Sequence, residues 1–320
     1  MTKILVTGGA GYVGSVSVEA LLAAGHDVVV IDDLTTGHRA AVLAGASLVV
    51  GSYGDGPDVE TLLRDEGVEA ILHCAARSLV GESIREPARY YRDNVAGGIA
   101  LLESARAAGV GRVVFSSTAA VYGVPDSTPI PEDAALRPIN PYGETKRTFE
   151  GALAWYGRAY GLRSVTLRYF NVAGATEARG EDHDPETHLI PAILAAAAAG
   201  GRFTLFGDDY PTPDGTCVRD YVHVSDLASA HLLALDQLRL DGVSRTLNCG
   251  YGRGYSVREV VEAVRRVAGT DFEVRQAPRR PGDPASIVAS NDQLVRLGWK
   301  PELHDLSVIV QHALAWENHA

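Results

Sequence analysis

Apolar positions in the first half of the chain follow two alternating rhythms. Short β-branched runs are separated by longer stretches with apolar residues at helical spacing. The runs KILVT (3–7), DVVVID (27–32), SLVV (47–50), EAILHC (69–74), RVVFSS (112–117) and SVTLRY (164–169) predict strands. Residues 12–24, 58–66, 87–108 and 141–160 predict helices. The third of these opens on Pro87 and stops at Gly109, as a helix with fixed ends should. Strands alternating with helices predict βαβ units and a parallel sheet. After Asn171 the rhythm changes. A polar loop (174–186) leads to a helix near 188–199, and shorter elements follow, among them a helix opened by the capping box SVRE (256–259). The expected class is α/β: a Rossmann-type doubly wound sheet with a smaller mixed α/β lobe. The expected division is 1–172, with about 219–248 returning to it, and 173–320.

The sequence VTGGAGYVGS sets Gly8, Gly11 and Gly14 between the first strand and the first helix. Glycines there let the backbone approach a pyrophosphate, and the helix N-terminus offers free N–H groups and positive potential. Asp32, closing the second strand, stands where a carboxylate accepts bonds from an adenosine ribose and repels a 2′-phosphate. The loop carries no Arg or Lys, so NAD is expected over NADP. Arg39 is the counter-candidate for a 2′-phosphate, and Asp33 reads equally as a cap.

Composition sharpens one further motif. The chain has 320 residues and three lysines, Lys3, Lys146 and Lys300, against 26 arginines. Lys146 follows Tyr142 by four residues in NPYGETK, so the two share a helix face. With 13 tyrosines, about 0.12 such pairs are expected by chance. Asn140 reads as the N-cap and Pro141 as the first helical residue. A tyrosine titrates near 10 when free, and a neighbouring ammonium and a positive nicotinamide would both favour the phenolate. Tyr142 is thus a candidate general base; the bland alternative is a surface i,i+4 contact. Ser116, Ser117 or Thr118, at the end of the fifth strand, could bond the reacting oxygen, although such hydroxyls most often cap turns.

The formal charge of −11 argues against nucleic-acid or anionic-membrane partners. Three scattered cysteines and no Cys/His ligand spacing predict free thiols in a reducing cytoplasm, with no metal site. MTKILVTGG is too short an apolar stretch for a signal peptide, and the longest apolar run, around AILAAAAAGG, is about half a membrane span.

TGGAGYVGS, VGES, YYRDNVAGG, FSSTAAVYG, NPYGETK, RYFNVAGA and VRDYVHVSDLA, in this order, resemble the extended short-chain dehydrogenase/reductase family, and within it the branch that epimerises UDP-hexoses at C4. That resemblance implies a tightly held NAD, a UDP-hexose substrate, interconversion of UDP-galactose and UDP-glucose through a 4-keto sugar, and a homodimer paired through helices 87–108 and 141–160. Tyr142, Lys146 and Thr118 would be catalytic. Gly8, Gly11, Tyr12, Val13, Gly14, Asp32, Leu34, Ala75, Asn94 and Tyr169 would join Tyr142 and Lys146 around the cofactor. Thr118, Asn171, His188, Leu189, Phe206, Arg219, Tyr221, Arg280 and Asp283 would hold the substrate, the arginines as multidentate diphosphate donors.

The chain departs from the family pattern at four positions. Ser78 replaces a lysine, Ser52 an adenine-binding aspartate, and His188 an asparagine. Ile287 stands at the gate to the sugar's N-acetyl space, so 4-epimerisation of UDP-GlcNAc/UDP-GalNAc, or of UDP-pentoses, remains an alternative. A 4,6-dehydratase would need an Asp-Glu pair where Ala119 and Ala120 follow Thr118. A non-catalytic NAD(H) sensor would not be expected to keep the Tyr–Lys pair.

Overall fold

Burial on both faces explains why most strand runs of the first half are continuously apolar, the partly exposed edge run SLVV excepted. In the computed structural model, which describes residues 1–183, 186–280 and 282–318, they form one parallel sheet. Its strands are β1 (Lys3–Thr7), β2 (Asp27–Asp32), β3 (Ser47–Val50), β4 (Ala70–His73), β5 (Arg112–Thr118) and β6 (Arg163–Tyr169), with Arg245–Cys249 added at the β6 edge. Across the sheet the order is Arg245–Cys249, β6, β5, β4, β1, β2, β3. β1 pairs with β2 on one side and β4 on the other, so the strand order reverses there. In an open α/β sheet the carboxyl ends of the strands at such a reversal face a ligand crevice.

Each predicted strand is present within a residue or so of its expected bounds. The seventh, RTLNC, escaped because three of its five residues are polar and it buries only its last three residues completely. The helix Val224–Leu240 leads into it and packs Leu227, Ala230 and Ala234 into the core formed by one face of the sheet. The other face is covered by Leu63, Leu101, Leu102, Phe149 and Leu153 from three further helices.

The predicted helix 87–108 is interrupted. It runs as Pro87–Tyr90, a π-helical stretch Tyr91–Gly97, and Gly98–Ala108, ending on Gly109 in the left-handed conformation. Wide turns of this kind are common at functional sites because they re-aim side chains. Here the stretch carries Asn94 inward: its amide accepts from the Arg77 N–H (2.8 Å) and donates to the Arg77 carbonyl (3.0 Å) and the Thr145 hydroxyl (3.1 Å).

Beyond Ala173 a separate apolar cluster joins the helices Leu189–Ala198, Val257–Ala268 and Leu306–Glu317 to the parallel pair Arg202–Phe206 and Glu273–Ala277. Ser256 and Glu259 close the capping box that starts the second of these helices. Among the described residues no helix is long and apolar enough to cross a membrane.

Candidate active site

One cavity of 1210 Å³ runs along the carboxyl ends of β1, β2, β4, β5 and β6 and on to His188, Arg219, Arg280 and Ile287. Its first end is the glycine loop. Gly14 packs so tightly that a Cβ there would lie 2.0 Å from the Gly8 carbonyl oxygen. A Cβ on Gly11, by contrast, would meet only the Gly8 carbonyl oxygen, at an ordinary contact distance of 3.5 Å. Gly11 caps the helix Tyr12–Ala23 without a side-chain bond, and no acidic residue stands in its first turn, so positive potential and free N–H groups face the cavity. Asp32 is nearly buried at the tip of β2, its two oxygens accepting from the N–H groups of Ala10 (3.0 Å) and Leu34 (2.9 Å). The unusual positive φ of Leu34, 57°, belongs to this turn. A dinucleotide fits this end: an open backbone cradle for the pyrophosphate, and a fixed carboxylate for the ribose hydroxyls.

Asn140 caps the helix Pro141–Tyr160 by accepting from the Gly143 N–H (2.8 Å), and Pro141 opens it. A Cβ on Gly143 would stand 2.6 Å from the Ala120 carbonyl, so the glycine lets this helix press against the turn after β5. That contact brings Tyr142 to Thr118. The Thr118 hydroxyl accepts the Ala120 N–H (3.1 Å), so it does cap a turn, and its nearness to the Tyr142 phenol favours the phenolate. Burial outweighs that effect: the Tyr142 phenol is pushed up to about 12. The Lys146 ammonium is not among the groups that act on it. Lys146 Nζ instead donates to the Ser116 carbonyl (2.7 Å), 4.8 Å from the centre of the Phe115 ring. Burial lowers the Lys146 ammonium to about 8, against the pull of Cys74 and Glu150.

Glu150, absent from the sequence reading, completes the stripe Tyr142, Lys146, Glu150 at intervals of four. It takes the Ser117 hydroxyl (2.5 Å) and both Nε (3.0 Å) and Nη2 (2.6 Å) of buried Arg168, which also donates to the Tyr122 hydroxyl (2.9 Å). This network lies behind the strand end that presents Thr118. The i+8 spacing was the available signal.

Of the other candidates, Tyr12, Val13, Ala75, Tyr169, Asn171, His188, Arg219, Arg280 and Asp283 line the cavity, as do Ser52, Ser78 and Ile287. The Ser52 hydroxyl accepts the Gly54 N–H (3.1 Å), an ordinary turn contact. The Tyr169 hydroxyl lies near Ser116 without a well-formed hydrogen bond. Arg219 pairs with Asp283.

Leu34, Asn94, Leu189, Phe206 and Tyr221 do not line the cavity. Leu34 and Asn94 act through backbone and second-layer bonds, Leu189 starts a helix behind His188, and Tyr221 is buried on its strand. Phe206 carries Arg280 on its ring, 4.2 Å from the centroid.

The sequence reading also expected no metal-ligand grouping, yet Glu181, His183 and His188 converge on the cavity wall. Two of the three lie in the loop 174–186, and spacing alone did not reveal that the helix start at His188 folds back on them.

The family described as NAD dependent epimerase/dehydratase matches residues 4–250. The chain belongs to this family. It is 51% identical to the UDP-glucose 4-epimerase of Corynebacterium glutamicum over 316 residues, covering 98% of this chain and 95% of that protein. It is likewise 51% identical to the UDP-glucose 4-epimerase of Azospirillum brasilense, over 98% of this chain and 92% of that one. Among solved structures, the UDP-glucose 4-epimerase from Brucella ovis in complex with NAD superposes with a TM-score of 0.95 at 45% identity, covering 98% of each chain. The Bifidobacterium longum enzyme in complex with NAD⁺ and UDP gives 0.94 at 34% identity, covering 99% of this chain and 98% of that one.

Proposed function

We propose that the protein interconverts UDP-galactose and UDP-glucose by oxidation and re-reduction at C4, with NAD as a bound, unconsumed cofactor. The observation that carries this reading is the continuity of one cavity. It joins the glycine-loop cradle and Asp32, the group Thr118, Tyr142 and Lys146, and the arginines Arg219 and Arg280. When bound, NAD supplies the hydride acceptor and the positive ring charge. Gly8, Gly11, Tyr12, Val13, Gly14 and Asp32 hold it, with Ala75 and Tyr169 along the channel.

Tyr142 in its phenolate form takes the proton of the sugar 4-OH and gives it back at the end of the cycle, so the chain ends each turnover in its starting protonation state. Thr118 spans sugar hydroxyl and phenol. Lys146, fixed by the Ser116 carbonyl, presents an ammonium to the nicotinamide ribose. Asn171, Arg219 and Arg280 take the diphosphate, and Asp283 orients Arg219. Ala119 and Ala120 line the cavity beside Thr118 and carry no transferable proton, which argues against dehydration of the sugar.

Two functional domains, 1–172 with 219–248 and the remainder, a homodimer, and a reducing cytoplasmic setting for the three free cysteines belong to the same reading. The test is incubation of the NAD-loaded protein with UDP-galactose and no added cofactor, followed by product analysis, with UDP-GlcNAc and UDP-xylose in parallel. UDP-glucose is the expected product. Failure to interconvert any UDP-sugar pair overturns the proposal, and a 4-keto-6-deoxy product establishes a dehydratase.

A further inference from the structure

Glu181, His183 and His188 have no part in the reaction as derived above, apart from a substrate contact at His188. One Glu181 oxygen meets His183 Nδ1, and the other lies 3.4 Å from His188 Nδ1. The three donor atoms lie within 4.8 Å of one another, and all three residues line the cavity. The Glu181 side chain is only 9% exposed, against 24% for His183 and 42% for His188.

The site is held from behind. Trp316 Nε1 donates to the Glu181 carbonyl (2.8 Å), and the Trp316 ring packs so closely on Gly180 that a Cβ there would stand 2.3 Å from it. Among the described residues, Glu181 has only these two imidazoles as ion-pair partners, and no Arg or Lys. Negative charge accumulates around it. Glu186 binds His188 Nδ1 (2.8 Å), and the Glu317 carboxyl is raised above its ordinary value first by burial and then by the charges of Glu186, Asp182 and Glu181.

A nearly buried carboxylate facing two imidazoles in a negative field is a donor set for a d-block cation. Two nitrogens out of three disfavour magnesium and calcium, which take oxygen ligands. We propose that Glu181, His183 and His188 bind one zinc-class divalent cation whose open coordination position faces the cavity. Three protein donors with a free fourth position is the pattern of an exchangeable zinc site. Tetrahedral ligation asks the donor atoms to stand about 3.4 Å apart, within reach of rotating two partly exposed imidazoles.

The test uses tag-free, NAD-loaded protein, stripped with a chelator and dialysed against zinc chloride, with metal counted by atomic emission. Cobalt(II) then serves as a spectroscopic probe of ligand geometry. The parent should retain one zinc per chain and show tetrahedral cobalt absorption, with excess magnesium unable to displace the zinc. His183→Asn and Glu181→Gln should each weaken zinc binding at least tenfold, while the metal-free His183→Asn protein melts with the parent. Should that variant misfold, Glu181→Gln alone decides the matter. Substoichiometric zinc in the parent, or zinc retained unweakened in the folded variants, overturns the site and leaves an ion-pair network only.

Discussion

Gly11 and Gly14 look interchangeable in the sequence and should behave oppositely when each is replaced by alanine. Gly11 has φ −89° and ψ 176°, an extended conformation that alanine adopts freely. Its added Cβ would meet only the Gly8 carbonyl oxygen, at 3.5 Å. Losing glycine at an N-cap costs up to about 1 kcal/mol, and restricting the unfolded chain returns about 0.4–1 kcal/mol. Metal-free, cofactor-free Gly11→Ala should therefore melt close to the parent. Gly11 lines the cavity at the helix N-terminus, however, so the added methyl group is expected to crowd the pyrophosphate there. Displacing one charge-assisted bond costs about 1.5–3 kcal/mol, a roughly 10- to 150-fold loss in NAD affinity.

Gly14→Ala is a different perturbation. Its Cβ would lie 2.0 Å from the Gly8 oxygen and 2.9 Å from Gly9 Cα, both backbone atoms of the same tight loop. Something must shift, at a cost of about 3 kcal/mol or more. Thermal melts of both variants across an NAD series separate the effects, because a ligand that binds only the folded state raises the midpoint by an amount that grows with the logarithm of its concentration over its dissociation constant. An NAD response in Gly11→Ala equal to the parent's would refute the loop as the pyrophosphate seat. A parent-like melt of Gly14→Ala would refute the packing argument.

Lys146→Arg should retain the fold yet lose at least about a hundredfold in turnover, since the pocket bounded by the Ser116 carbonyl and the Phe115 ring holds a slender ammonium and a wide fork cannot take the same bond; steady-state kinetics on NAD-loaded protein decide this, and near-parent turnover counts against it. Glu150→Ala should destabilise by about 3–5 kcal/mol in urea titration, because it strands the buried Arg168 guanidinium; a loss under about 1 kcal/mol would show that water reaches Arg168. Acid should also destabilise the fold. Burial lowers His73 and His231 to about 3 and His223 to about 4, so below about 6.5 the unfolded chain binds these three protons and the fold does not. Asp220, raised by burial to about 6, is protonated earlier in the fold and offsets one of them near pH 5. With two net protons favouring the unfolded state, stability should fall by about 2.7 kcal/mol per pH unit there, and a flat urea midpoint between pH 6.5 and 5 would contradict it.

Most of the sheet was readable because its inner strands are buried on both faces, so that apolar content alone marks them, while the edge strand Ser47–Val50 was marked by its β-branched run although none of its residues is buried. Where burial covers only one end of a strand and polar residues share it, the signal fades: Arg245–Cys249 hides Leu247, Asn248 and Cys249 but leaves its first two residues partly exposed. The glycine loop and the helix cap at Asn140 were readable because backbone geometry restricts which residues can stand there. The second cluster's side of the cavity was less so. Phe206 and Tyr221 resemble ligand contacts by position in the chain, yet one supports Arg280 and the other is walled into a strand. Convergence of Glu181, His183 and His188 depends on a loop pinned by Trp316, 135 residues from Glu181, and no local pattern encodes a contact of that range.

The fate of Tyr142 shows why a motif and its chemistry are separate questions. Tyr142 and Lys146 share a helix face as their spacing requires, but the ammonium turns to the Ser116 carbonyl, and burial drives the phenol up to about 12. At neutral pH about one phenol in 10⁵ would then be ionised. Thr118 is the single chain contact that works the other way. A base of this kind is supplied by the polypeptide as position and by the cofactor as charge: the cavity desolvates the phenol, which keeps it neutral, and the same desolvation strengthens the field of any cation placed beside it. The active base would thus exist only in chains that already hold their cofactor. For a redox-neutral reaction that coupling is useful, since proton removal without a hydride acceptor in place would lead nowhere.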